Sequence, residues 1–336
     1  MKQSVLLGFS GGIDSCTSAR RLSDDGYRVV ALTIDTMGDE AMVAKAQQKA
    51  EELGIEWQVY DARELFKREI IDYFCHEYAI GHTPAPCTRC NPLIKWRILA
   101  QEADSLGIHH IATGHYFNIE KRDTHYYVTK GIDETKDQSY YLWGLTQDIL
   151  ARAITPMGNA IKSDVKLSFK DKSESMGICF LKGLPYAEFL ANHGVTMPEG
   201  DIITESGEVC GRHNGIARYT IGQRRGVGIP EGKRVIGIDA THNYIIVGEN
   251  SRLYHNRLTV AECNIVCREE LLTANDITIK IRGIGRNPER PVRIEESKEG
   301  YIVTTDDPAW APALGQPIVF YRNNWVIGGG IVVGFN

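Results

Sequence analysis

The stretch Val5-Leu6-Leu7-Gly8-Phe9-Ser10-Gly11-Gly12-Ile13-Asp14-Ser15 decides how this chain folds. It opens as an apolar run of strand character, and Cys16 through Leu22 continue it with a helical pattern. A strand that ends in Ser-Gly-Gly and turns straight into a helix makes a pocket for an anion. Gly11 and Gly12 let the backbone come close and present N–H groups, and the helix N-terminus adds partial positive charge. Asp14 and Ser15 fall in the first helical turn, where polar side chains can face a ligand. No lysine follows the glycines, so the loop is not a Walker A motif.

Working outward, β-rich runs alternate with helical patterns. Val29–Ile34 reads as a second strand and Glu40–Leu53 as a helix that stops at Gly54. Ile55–Tyr60 reads as a third strand, followed by a helix from Ala62 to Tyr78. After a Pro-rich loop, Leu93–Leu106 is helical and Ile108–Thr113 is the next strand. Strands alternating with helices predict a parallel sheet wound with helices on both faces. Ligands in such sheets bind at the carboxyl ends of the strands, which puts Ser10–Ser15, Ile34 and Gly114-His115 on one edge. Leu145 to Leu190 reads as helical and polar. Beyond Gly200, short apolar runs (Ile236–Ile238, Tyr244–Val247, Leu258–Val260, Ile277–Ile281, Tyr301–Thr304, Ile318–Tyr321) predict antiparallel β-structure and small barrels.

The chain has 336 residues, 43% of them hydrophobic and 24% charged, enough for two or three globular domains. It holds no apolar run of membrane-spanning length, and Met1-Lys2-Gln3-Ser4 enters the first strand at once, so a cytoplasmic protein is expected. The net charge of −5 by itself argues against a nucleic-acid partner, though its distribution matters more than the total. Basic residues are nonetheless clustered: Lys280, Arg282, Arg286, Arg290 and Arg293 in one stretch, and Arg212, Arg218, Arg224, Arg225, Lys233 and Arg234 in another. Such patches can meet RNA.

In a reducing compartment the eight cysteines are reactive, metal-binding or structural rather than a disulfide framework. Cys87-Thr88-Arg89-Cys90-Asn91 follows Thr83-Pro84-Ala85-Pro86 and precedes a helix. A helix start and Arg89 would both favour thiolate there. Cys179 sits in Ser175-Met176-Gly177-Ile178-Cys179-Phe180, where the glycine predicts an exposed thiol on a tight loop. Cys263 and Cys267 have an unusual spacing for a metal site and read as structural.

The Ser10–Ser15 loop resembles the pyrophosphate loop of ATP pyrophosphatases. Two further motifs, Lys136-Asp137-Gln138-Ser139-Tyr140-Tyr141-Leu142 and Tyr219-Thr220-Ile221-Gly222-Gln223-Arg224-Arg225-Gly226-Val227-Gly228-Ile229, resemble signatures of the tRNA-specific 2-thiouridylases. The Thr83–Asn91 loop, Thr113-Gly114-His115-Tyr116, Gly177-Ile178-Cys179-Phe180, Gly315-Gln316 and Gly328-Gly329-Gly330 match in family order, over nearly the whole chain. The resemblance implies an α/β, Rossmann-like adenine nucleotide hydrolase (pyrophosphate-loop) domain over 1–182. A small β-rich central domain over 183–250 and a C-terminal β-barrel over 251–336 follow.

It also implies an ATP-dependent transfer of sulfur to C2 of the tRNA wobble uridine, flipped out of its stack. ATP, with Mg²⁺, would sit on Gly8, Phe9, Ser10, Gly11, Gly12, Ile13, Asp14 and Ser15, with Ile34 and Gly114 near the adenosine. Asp14, Cys90 and Cys179 would be catalytic. Cys179 would carry a persulfide from a sulfur-donor protein, a cysteine desulfurase or sulfur relay. Cys90 would release the sulfur, forming a Cys90–Cys179 disulfide or by a related route. Ala85, Pro86, Cys87, His115, Lys136, Asp137, Gln138, Arg282 and Gln316 would contact tRNA. Cys87 stands where members of this family carry aspartate, which adds a second route: a [4Fe–4S] cluster on Cys87, Cys90 and Cys179. A further alternative is a non-catalytic RNA-binding or sulfur-relay paralogue. Asp35–Ala41 and Gly158–Lys172 are shorter than the family pattern.

Overall fold

Val5, Leu6 and Leu7 are completely buried in a computed structural model of the chain, so strand β1 (Ser4–Gly8) is covered on both faces. The structure describes residues 2–167, 177–226, 228–282 and 287–336. They fall into two units. The first comprises Met1–Ile70, Cys87–Ser175 and Asn324–Ile327, the second Ile71–Pro86, Met176–Asn323 and Gly328–Asn336.

In the first unit, β1 lies between β2 (Arg28–Asp35) and β4 (His110–Thr113). β3 (Glu56–Asp61) flanks β2, and a short β7 (Ala153–Ile154) flanks β4. All four pairings are parallel, with Leu6 opposite Val30 on one side and Ile111 on the other. The predicted wound sheet is therefore present. The chain moves outward in opposite directions from β1 to β2 and from β1 to β4. That reversal opens a crevice at the carboxyl ends of β1 and β4, where such sheets take ligands.

Helix α1 (Ile13–Asp24) follows β1. It buries Cys16, Ala19 and Leu22, a helical spacing, against Val5 and Leu7 and against Ala46 and Ala50 of α2 (Glu40–Leu53). Asp39 caps α2 by accepting the Met42 amide, and Gly54 ends it at φ +64°.

Two expectations need correction, and one element was not foreseen. The helices expected over Ala62–Tyr78 and Leu93–Leu106 each contain a widened π-turn, at Lys67–Ile71 and Asn91–Lys95. In the second, Pro92 offers no N–H for regular bonding, and regular helix resumes only at Trp96–Ser105. A hairpin of β5 (Phe117–Arg122) and β6 (His125–Lys130) was not anticipated. The charges Glu120-Lys121-Arg122-Asp123 hide its alternation, while Asp123 at φ +52° makes the tight turn. Instead of a long helical region from Leu145 to Leu190, the described residues form short helices at Gln147–Arg152, Lys162–Leu167 and Tyr186–Asn192.

The second unit is largely antiparallel. One sheet has the order β10 (Arg234–Asp239), β11 (Tyr244–Gly248), β8 (Gly200–Thr204), β9 (Val209–His213), with only β11–β8 parallel. The other runs β13 (Ile277–Lys280), β16 (Pro317–Arg322), β17 (Trp325–Phe335), β12 (Tyr254–Ile265), β15 (Tyr301–Trp310), β14 (Val292–Glu296). Ile202, Val235, Ile245, Leu253 and Ala311 share a core with Tyr219 and Ile221 of the Tyr219–Ile229 motif. Among the described residues no helix is long and apolar enough to cross a membrane.

Candidate active site

The loop Phe9–Gly12 is fastened at both ends. The Phe9 amide donates to the Leu32 carbonyl at 2.8 Å, and the Thr33 hydroxyl donates to the Phe9 carbonyl at 2.8 Å. Gly11 has φ +68°, and a Cβ there would stand 2.8 Å from the Ala46 Cα, so no other residue fits. Gly12 occupies the N-cap of α1 and has no side chain to cap the first turn. The Ser15 hydroxyl turns back onto the Gly12 carbonyl at 3.0 Å. Uncapped first-turn amides above a glycine loop are what an anion needs. Gly11→Ala is expected to cost about 1–3 kcal/mol of stability through strain at positive φ, read by urea denaturation, and to abolish ATP binding.

Asp14 is the centre of the site. Its carboxylate accepts the Tyr116 hydroxyl at 2.8 Å and the Lys162 ammonium at 2.6 and 2.7 Å. Lys162 is almost wholly buried, and its ammonium lies 5.5 Å from the centre of the Tyr116 ring. Burial, then the Asp14 contact, pushes the Tyr116 phenol well above its ordinary range. The Asp133 carboxylate accepts the Lys162 amide at 2.9 Å and fixes the start of its helix. Lys162 was missed in the sequence, where it stood in a stretch read only as helical and polar. Gly114 approaches the same point: a Cβ there would be 3.2 Å from the Asp14 carbonyl carbon and the Ser15 amide. Ile34, next to last in β2, lies at the carboxyl end of that strand on the same edge of the sheet.

His115 is held rather than poised. Its Nδ1 lies 2.8 Å from the Thr113 hydroxyl, and its ring stacks on buried Trp96 at 6.4 Å. Burial, with a smaller push from Lys95, takes the imidazole down to about 3. Its neutral form is thus favoured by folding. That stabilisation is complete above pH 6.5 and drains as pH falls towards 3, because the unfolded chain takes up the proton first. At pH 5 the loss is about 2 kcal/mol. His115→Asn should flatten this acid slope in urea titrations at pH 5 and 7.

Cys87 and Cys90 lie one turn apart on the short helix Pro86–Cys90, with Ala85 and Pro86 leading into it. Cys90 is buried and Cys87 partly exposed. Asn91 joins this helix to the Lys136–Leu142 motif, its amide donating to the Cys87 carbonyl at 3.0 Å and the Tyr141 carbonyl at 3.1 Å. Arg89, expected to favour thiolate here, also donates to the Glu69 carbonyl at 3.0 Å and its carboxylate at 3.3 Å. In the motif itself, Asp137 takes the Gly131 and Ser139 amides and the Ser139 hydroxyl, and the Gln138 side chain takes the Tyr116 amide. Asp137 and Gln138 therefore shape the wall behind Tyr116. The Lys136 amide bonds the Asp133 carbonyl in the same turn.

Cys179 belongs to the second unit. It is exposed, and Phe180 beside it is buried against Phe74 and Phe189, each 5.1 Å away. That anchor, with Gly177 at φ +94°, displays the thiol as expected. Arg282 and Gln316 also meet in this unit, Arg282 Nε donating to Gln316 Oε1 at 3.3 Å. The basic clusters are less bare than they read. Arg212 pairs with Asp201, Lys233 with Glu249 and Arg293 with Asp306, while Arg286 lies outside the described residues. No disulfide joins any cysteine, and among the described residues no three His, Cys, Asp or Glu side chains converge as metal ligands. Cys263 bonds the Val260 and Ala261 carbonyls, a structural role.

Family models described as the tRNA methyl transferase HUP domain, the tRNA methyl transferase PRC-barrel domain and the aminomethyltransferase beta-barrel domain match residues 3–183, 187–249 and 255–332. A tRNA-specific 2-thiouridylase of Bacteroides fragilis is 38% identical over 98% of this chain and 94% of its own length. One from Syntrophomonas wolfei is 39% identical over 99% of this chain and all of its own. The chain belongs to the tRNA-specific 2-thiouridylase family. A solved structure described as a predicted subunit of a tRNA methyltransferase from Methanocaldococcus jannaschii overlaps 58% of this chain and 89% of its own. Its 19% identity and TM-score of 0.38 are too slight to bear on function. Membership in the thiouridylase family accounts for a parallel-sheet pyrophosphate-loop domain followed by two β-barrel domains.

Proposed function

We propose that this protein is a tRNA-uridine 2-sulfurtransferase: it adenylates the C2 oxygen of the wobble uridine with ATP and replaces it with sulfur. The observation that carries the reading is the Asp14–Lys162–Tyr116 cluster beside an uncapped glycine loop, in the same unit as Cys90. Methyl transfer, named in the family's description, needs neither that cluster nor paired thiols. The substrate reading rests on the relatives' names, and the reaction is assigned to the cytoplasm.

The residues divide the work. The Gly8–Ser15 backbone takes the phosphates of MgATP. Lys162 supplies the cation that a Walker lysine supplies elsewhere, and Asp14 holds that cation in place; its carboxylate would also serve as an oxygen ligand for the nucleotide's magnesium. Ile34 and Gly114 border the adenosine. The uridine C2 oxygen attacks the α-phosphorus and pyrophosphate leaves, so a poor leaving oxygen becomes AMP. Neutral His115 offers a hydrogen bond without changing charge.

A cysteine desulfurase or sulfur-relay protein charges Cys179 as a persulfide. Its terminal sulfur attacks C2 and AMP departs, leaving the uridine joined to Cys179 through a disulfide. The Cys90 thiolate attacks the Cys179 sulfur. The thiocarbonyl is released and a Cys90–Cys179 disulfide remains for a dithiol reductant to open. Ala85, Pro86 and Cys87 border the base, with Lys136, Arg282 and Gln316 on the tRNA. No step is routed through an iron–sulfur cluster; iron and sulfide analysis of anaerobically purified protein tests that choice.

The deciding experiment is mass spectrometry of tRNA nucleosides from a strain lacking this gene and any paralogue. 2-Thiouridine should vanish and return with the wild-type gene. Undiminished 2-thiouridine would sink the reading.

A further inference from the structure

Neither adenylation nor sulfur transfer uses the Tyr219–Ile229 motif. Within the second unit, Tyr219–Gln223 and Gly226 of that motif wall a groove of about 630 Å³, a size in the range of small-ligand sites. Its making is specific. Gly222 has φ +88°, and a Cβ there would stand 3.0 Å from the Ala311 Cβ and 3.1 Å from the Trp310 ring, so glycine lets the turn close onto the indole. Gln223 folds the turn, accepting the Thr220 amide at 3.1 Å and donating to the Arg225 carbonyl at 2.7 Å.

The lining has two characters. Arg218 and Arg282 bring positive charge, and among the described residues no Asp or Glu lines the groove. Arg218 Nε donates to the Asn214 carbonyl at 3.1 Å, and Arg282 donates to the Ala311 carbonyl at 2.5 Å while lying 5.8 Å from the Trp310 ring centre. Tyr186, itself stacked on Tyr78 at 5.0 Å, and Trp310 make the rest aromatic. Two guanidiniums beside an aromatic wall suit a ligand with both a phosphate and a flat ring. A duplex would offer its backbone to the arginines and leave the aromatic wall unused.

We propose that this groove takes one unstacked nucleotide of the tRNA, its phosphate on Arg218 and Arg282 and its base against Tyr186 and Trp310. The proposal rests on tRNA being the substrate and names a contact that the reaction chemistry does not require.

Binding of a tRNA transcript to the full-length protein by fluorescence anisotropy tests it. Tyr186→Ala and Arg218→Ala should each weaken binding about tenfold, the scale of one lost base stack or phosphate contact. Arg218→Ala should also lower the slope of log affinity against log salt by about 0.7, and Arg218→Lys should keep it. ATP binding, unchanged in every variant, reports an intact fold. With a benzophenone amino acid in place of Ala187, crosslinks should map to one single-stranded nucleotide. Variants that bind tRNA as the wild type does, or crosslinks to a stem or to the sulfur-donor protein, would overturn the proposal while wild-type thiolation stands. A wild-type protein that neither binds nor thiolates tRNA would overturn the substrate reading, and the groove with it.

Discussion

Lys162→Ala is expected to lower tRNA-dependent AMP formation by about a hundred- to a thousandfold, the usual cost of removing one positioned electrostatic contact to a transition state. The argument is one of placement. A lysine that is only 6% exposed, with its ammonium 2.6 Å from a carboxylate at the mouth of a glycine loop, has been taken out of water at a cost. Stability alone does not call for such a pair, because apolar side chains of the same volume do as well or better. An incoming polyphosphate does call for it, since α1 offers amides and only partial charge. The variant should also lose about 1–2 kcal/mol of stability, less than a fully buried pair would, because Asp14 keeps some solvent access. Lys162→Ala with Asp14→Asn separates the two roles. The double variant should regain stability in urea denaturation and stay as slow in AMP release. Recovery of the rate along with stability would show that the pair is only structural.

Cys90→Ser should abolish 2-thiouridine formation, by at least about a thousandfold, while AMP release continues. Oxygen in place of sulfur keeps the size of this buried side chain but cannot accept the Cys179 sulfur as a disulfide partner. Cys179→Ser should give the same split, and it should stop protein-bound persulfide from accumulating when a sulfur donor is supplied. Mass spectrometry of nucleosides and of intact protein, run beside an AMP assay, reads all three quantities. Loss of AMP formation in Cys90→Ser would place this thiol in the activation step and contradict the division of labour. Cys87→Ser adds a decision between routes: a relay through Cys90 and Cys179 survives it, whereas a three-thiolate cluster does not.

Much of the first unit was legible because its signals are local. The apolar run Val5–Phe9, the glycines after it and the caps of Glu40–Leu53 each follow from a few neighbouring residues, and the sheet has them in place. The hairpin Phe117–Lys130 was not legible, because a charged strand end blurs the alternation that marks a strand. The widened turns were missed for a related reason: hydrophobic spacing cannot register one extra residue in a turn. The contact of Arg89 with Glu69 was not legible, because its partner lies twenty residues earlier in the chain.

By itself the sequence determined the anion loop and the alternation of strands and helices that builds the parallel sheet. Each is set by spacing and backbone preference within a short window. Only the tertiary structure decided what those parts face. It brought Lys162 to Asp14 across 148 residues, Asn91 to Tyr141, and Arg282 to Gln316 and Trp310. Charge and hydrogen bonding act through space, so the partner of a buried ammonium is chosen by how the chain packs and leaves no mark in the neighbouring sequence.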